Sequence, residues 1–196
     1  KSYLVRNVEN KQEAADLLAT IAIKLEKLVN IINDSGYETI YTKYMKPTID
    51  KENQSNDKKS NDNKDIIEGQ DGGNSDSTTL ETDIKQKLKD DIKRLYKNFN
   101  PEAFSETTPD AKYTSYSVNK GEKIVMCIRN KKTANQDIIN LNTLMFVALH
   151  ETAHLMTKSV GHHPEFWDNF RILINIAIDA KVNVYKEVDF NIYPEP

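Results

Sequence analysis

All four histidines of this 196-residue chain, His150, His154, His162 and His163, fall in one short window. The first two bracket a glutamate in the series His150-Glu151-Thr152-Ala153-His154. On a helix, two imidazoles four residues apart share a face about 6 Å apart along the axis, a span that a single zinc ion bridges. The run ahead of them, Leu144-Met145-Phe146-Val147-Ala148-Leu149, is apolar nearly all round, so residues 142–156 are predicted to form one helix at the centre of the core. That requirement constrains the fold more than any other feature of the chain.

The rest of the chain splits around a polar gap. Between residues 51 and 79 the only large apolar side chains are Ile66 and Ile67. Such a stretch buries too little surface to offset its ordering entropy, and residues 47–82 are read as a disordered insertion. The expected division is therefore 1–46 as an N-terminal helical part, 47–82 as insertion and 83–196 as catalytic core. Within residues 12–32, Leu17, Leu18, Ile21, Leu25, Leu28 and Ile32 make a helical stripe that should stop at Asp34-Ser35-Gly36. Ile84, Leu88, Ile92 and Leu95 mark a second helix with a solvated lysine-aspartate face.

Residues 113–118 and 123–129 read as two strands around the turn Asn119-Lys120-Gly121-Glu122, a hairpin. Thr157 to Gly161 then suit a turn, and Pro164 sits where a last helix would begin. Phe166, Trp167, Phe170, Leu173, Ile174, Ala177 and Ile178 give that helix its core stripe. The fold class expected is α+β: a zincin-like single domain with a central active-site helix, a small antiparallel sheet or hairpin and flanking helices.

A net charge of −3 gives no electrostatic reason to expect nucleic-acid or anionic-membrane binding, and no apolar run is long enough to span a bilayer. The lone Cys127 excludes an internal disulfide framework and fits a reducing, intracellular compartment. The chain opens at Lys1 without a methionine, so it reads as a processed piece, and an upstream membrane anchor would not be visible in it.

A catalytic zinc typically takes three protein ligands and keeps a fourth position for water. His150 and His154 supply two, and a third imidazole arrives just after the turn, at His162 or His163. A structural zinc site would leave Glu151 idle and normally carries four cysteine-rich ligands. The metzincin pattern fails because Thr157 occupies its glycine position and no methionine follows Met156; a later acidic ligand, from Asp179 or Glu187, is a weaker choice than a histidine.

The run Leu149-His150-Glu151-Thr152-Ala153-His154, followed by His162-His163-Pro164-Glu165-Phe166-Trp167, resembles the WLM zinc metalloproteases and their SprT/Spartan relatives. The resemblance covers roughly the C-terminal half. It implies His162, four residues before Phe166, as third ligand, with seven residues separating it from His154. Lysine-rich, asparagine-rich composition makes the chain similar to WLM-like metallopeptidases of large DNA viruses, which implies a host-cytoplasmic or virion location. No SUMO-binding motif or basic DNA-binding extension is found.

The expected activity is zinc-dependent peptide hydrolysis by a zinc-activated water, with Glu151 as general base. The substrate, a protein or peptide, would lie along the strand 123–129, with Lys123, Val125 and Cys127 as its contacts. Tyr113, Tyr116 or Tyr185 is available to stabilise an oxyanion, Asp168 to orient a ligand histidine and Cys127 to approach the metal, although packing is the commoner role of each. The rival readings are a catalytically silent zinc-binding structural or virion-associated protein and a non-peptidase zinc hydrolase.

Overall fold

The computed structural model describes residues 2–46, 49, 76–111, 114–130 and 136–182. Four helices, α1 (Lys11–Ile40), α2 (Asp76–Asn98), α3 (Leu141–Met156) and α4 (Pro164–Asp179), accompany three short strands, β1 (Phe104–Glu106), β2 (Tyr116–Val118) and β3 (Lys123–Met126). The fold is α+β, as expected, and α3 is its hub, packed against α1, α2, α4, β2 and β3.

The reason is compositional. Leu144, Met145, Ala148, Leu149, Ala153, Leu155 and Met156 are all buried, so α3 offers almost no face to water. Its start is set by Asn140, whose side chain accepts a hydrogen bond from the Thr143 N–H at 2.9 Å. The helical stripes of α1 and α2 behave as their spacing predicts: Leu18, Ile21, Leu25, Leu28 and Ile32, then Leu88, Ile92 and Leu95, are buried.

α1 does not stop at Gly36. The glycine breaks the helical conformation with φ 74° and ψ 156°, but the helix resumes to Ile40 and runs into a π-helical turn, Tyr41–Met45. Ile40 and Tyr41 are buried there, and that burial favours a kinked continuation over a stop. At the other side of the polar gap α2 begins at Asp76, inside the segment read as insertion, while residues 50–75 lie outside the described residues.

The sheet has the order β1-β3-β2. β2 and β3 form the predicted antiparallel hairpin, with Ser117 opposite Ile124, while β1 runs parallel to β3, with Ser105 opposite Val125. β1 was not legible as a strand; it is three residues long and shows no extended alternation. The hairpin is shorter than read: Arg129 makes only an isolated bridge to Ile138, and Tyr113 lies outside the described residues. Among the described residues no helix is long and apolar enough to cross a membrane.

Candidate metal centre

α3 ends in its two histidines, and α4 begins immediately after the third. His150 and His154, one turn apart on α3, have ring centroids 5.1 Å apart. Between α3 and α4 the chain turns back, so that His162 Nε2 comes within 3.0 Å of His150 Nε2 and 3.2 Å of His154 Nε2. Beneath them Phe166, fully buried, packs its ring 4.8, 4.4 and 4.6 Å from those of His150, His154 and His162. It forms the apolar floor of the cluster.

Three converging Nε2 atoms suit a cation better than one another. A neutral imidazole has one donor and one acceptor, so three nitrogens aimed at one point cannot all be satisfied mutually. A tetrahedral zinc with nitrogens about 2.0–2.1 Å away spaces them about 3.4 Å apart, close to the observed separations. His150 and His154 are also held neutral, pushed down to about 4, chiefly by burial and further by neighbouring imidazoles; burial lowers His162 as well. Neutral rings need lose no proton to bind a metal.

His163 takes a different position. It is the N-cap residue of α4, exposed, with its carbonyl accepting the Phe166 N–H, and it stands outside the group of three. Glu151 lies on α3 between His150 and His154, only 4% exposed. Burial pushes its carboxyl up to about 7, opposed by a hydrogen bond from the Ser117 backbone.

A cleft of about 500 Å³ opens over these groups, lined by Ser115, Tyr116, Ser117, Lys120, Val160 and Gly161 as well as by the histidines and Glu151. The expectation that strand 123–129 forms the peptide-binding edge is corrected here. β3 is the central strand, paired on both sides, so it has no free main-chain edge. Lys123, Val125 and Cys127 do not line the cleft, and the edge strand beside it is β2.

Tyr116 lines the cleft, whereas Tyr113, Tyr185 and Glu187 lie outside the described residues. Cys127 is half-buried, its Sγ 3.4 Å from the Arg129 carbonyl, and is not grouped with the histidines. Asp168 is ion-paired to Arg171 at 2.8 Å, and Asp179 to Lys43 at 2.6 Å. Trp167 leaves the core stripe; it is 38% exposed, its ring 5.7 Å from His162.

Sequence reading missed the groups that fix the loop between α3 and α4. The Lys120 ammonium donates to the carbonyls of Thr157 (2.9 Å) and Ser159 (2.6 Å). The Glu165 carboxylate accepts from the Lys158 and Ser159 N–H groups and from Ser159 Oγ. Arg94 donates to the Met156 carbonyl at 2.6 Å and pairs with buried Asp91, and Asn169 bridges Asp91 and Thr157 Oγ1. Apart from the Arg94–Asp91 pair on one turn of α2 and the nearby Ser159 hydroxyl, these partners are distant in sequence or are main-chain atoms, so no local pattern announces them; Glu165, in the WLM-like His-His-Pro-Glu-Phe run, was the one visible hint.

No family model matches the chain. A crystal structure of Wss1 from Saccharomyces cerevisiae aligns with 55% of this chain and 84% of its own at 21% identity, with a TM-score of 0.37. Protein 136R of invertebrate iridescent virus 6 is 34% identical over 73 residues, 37% of this chain and 39% of its own. Protein 042R of invertebrate iridescent virus 3 is 38% identical over 65 residues, 33% of this chain and 38% of its own. The uncharacterised protein R325 of Acanthamoeba polyphaga mimivirus is 33% identical over 196 residues, 99% of this chain and 73% of the relative. With that identity sustained over nearly its whole length, the chain belongs to the family of mimivirus protein R325.

Proposed function

We propose that this protein is a zinc metalloendopeptidase, with His150, His154 and His162 as metal ligands and Glu151 as general base. The observation that carries the reading is the convergence of three imidazole Nε2 atoms beside a buried carboxyl, in a cleft walled by an edge strand. The motif resemblance to WLM and SprT-like peptidases supports it.

A bound zinc supplies a Lewis acid for the scissile carbonyl and lowers the pKa of a water. The remaining steps belong to the chain's own groups. Glu151, buried beside the three imidazoles, would accept the water's proton and pass it to the departing amine. β2 receives an extended peptide along its outer edge, by β-augmentation, and Tyr116 on that strand borders the reacting centre. The viral origin of the relatives supports a site of action inside an infected cell or a virion.

The test is elemental analysis of purified wild type and Glu151→Gln, together with cleavage of a panel of denatured proteins. Both should carry one equivalent of zinc, and cleavage should drop by at least about 10³-fold in the variant, the scale of a lost acid-base group. Zinc-loaded Glu151→Gln that still turns over would remove Glu151 from the chemistry. Zinc in both without cleavage in either would favour the silent, structural reading.

A further inference from the structure

The loop that delivers His162 is held mainly from outside. Residues 157–161 form neither helix nor strand, and Val160 within them is 81% exposed. Its ends are tied: Thr157 is capped onto Ala153, and the carboxylate of Glu165 gathers the amides of Lys158 and Ser159. The carbonyls of the same stretch point the other way, to a single side chain, Lys120.

Lys120 is an unusual cation. It stands in the hairpin turn at φ 56°, next to Gly121, and lines the cleft. No carboxylate lies within ion-pair distance of it among the described residues, and its two hydrogen bonds both go to carbonyls of the His162 loop. Burial lowers its pKa, as does the charge of Arg94, with Glu165 opposing. An ammonium drawn partly out of water without a carboxylate in contact is costly, and what this one achieves is geometric: two carbonyls, at 157 and 159, are fixed just ahead of the third imidazole. With Glu165 gripping the amides and Lys120 the carbonyls, the loop is clamped on both of its hydrogen-bonding sides.

We propose that Lys120 is a positioning residue for the third metal ligand: from the hairpin turn it sets the loop that aims His162 at His150 and His154. The hairpin whose outer strand faces the cleft thereby also governs metal affinity. This rests on the zinc reading above.

The test is a double-mutant cycle on zinc affinity, by chelator competition, with wild type, Lys120→Met, His162→Ala and the double variant. Methionine keeps most of the stem and removes the donors. Lys120→Met should weaken zinc binding about tenfold, about 1.4 kcal/mol, and should cause no further loss when added to His162→Ala. Hydrogen exchange on the metal-free protein should show the Lys158 and Ser159 amides exchanging faster in Lys120→Met. Equal losses in both backgrounds, the mark of a general structural role, would overturn the proposal. So would zinc affinity and amide exchange both unchanged by Lys120→Met. If wild type takes up no zinc, the metallopeptidase reading fails on its own, and exchange at those two amides decides alone whether Lys120 holds the loop.

Discussion

His162 and His163 are adjacent in sequence and serve different ends. Pro164 starts α4 at once, so His163 becomes the exposed N-cap residue and stands outside the three-imidazole cluster, while His162, one position earlier, brings its Nε2 into it. His162→Ala should therefore weaken zinc binding by more than about 100-fold, a loss larger than that of an outer hydrogen-bonding partner, whereas His163→Ala should retain one equivalent after gel filtration. Equal zinc contents in the two would place the third ligand elsewhere. The resemblance to the WLM pattern already singled out His162 through its spacing to Phe166, and the fold is in keeping with it: Phe166 packs against all three imidazoles at once.

At the level of elements, the hairpin carries more of the site than its length suggests. Its turn places Gly121 at φ 114°, where an added Cβ would lie 2.4 Å from the Asn98 carbonyl oxygen and 3.1 Å from Leu155. Gly121→Ala should cost about 2–4 kcal/mol, combining backbone strain with a clash against main chain, read as a lower midpoint in urea at unchanged slope. A midpoint within error of wild type would mean the turn is not seated against α2 and α3. The outer strand makes a separate prediction. Tyr116→Ala should raise KM for a cleaved peptide about tenfold with kcat little changed, while Lys123→Ala on β3 should leave both alone; the reverse pattern would restore β3 as the substrate strand. Helices α1 to α4 were legible because apolar residues at 3.6 spacing report burial directly, and the His-Glu-x-x-His series was legible because its chemistry is local. Strand order is not local. Nothing in residues 123–129 says that β1 will pair with their far side, so a central strand was read as an edge.

On the scale of the whole molecule, the sheet is joined to the N-terminal arm by a charge pair that water does not reach. The side chains of Arg129 and Glu106 are 3% and 1% exposed, with Arg129 Nε donating to Glu106 Oε1 at 2.5 Å. Arg129 Nη1 donates to Asn10 Oδ1, and Glu106 Oε2 accepts the Arg6 N–H at 2.7 Å, so one ion pair ties together segments about a hundred residues apart. Burying such a pair costs nearly as much desolvation as its attraction returns, but removing one partner strands the other charge in a dry site. Glu106→Ala should accordingly destabilise by about 3–5 kcal/mol. At about 2–4 °C per kcal/mol for a chain of this size, thermal unfolding should fall by roughly 10 °C. Replacing both partners, Glu106→Leu with Arg129→Met, should recover part of that loss because no unpaired charge remains. A double variant less stable than Glu106→Ala would show instead that the pair is held for its Arg6 and Asn10 contacts. The pair lies outside the cleft lining, so each variant, kept well below its unfolding temperature, should still bind zinc as tightly as wild type.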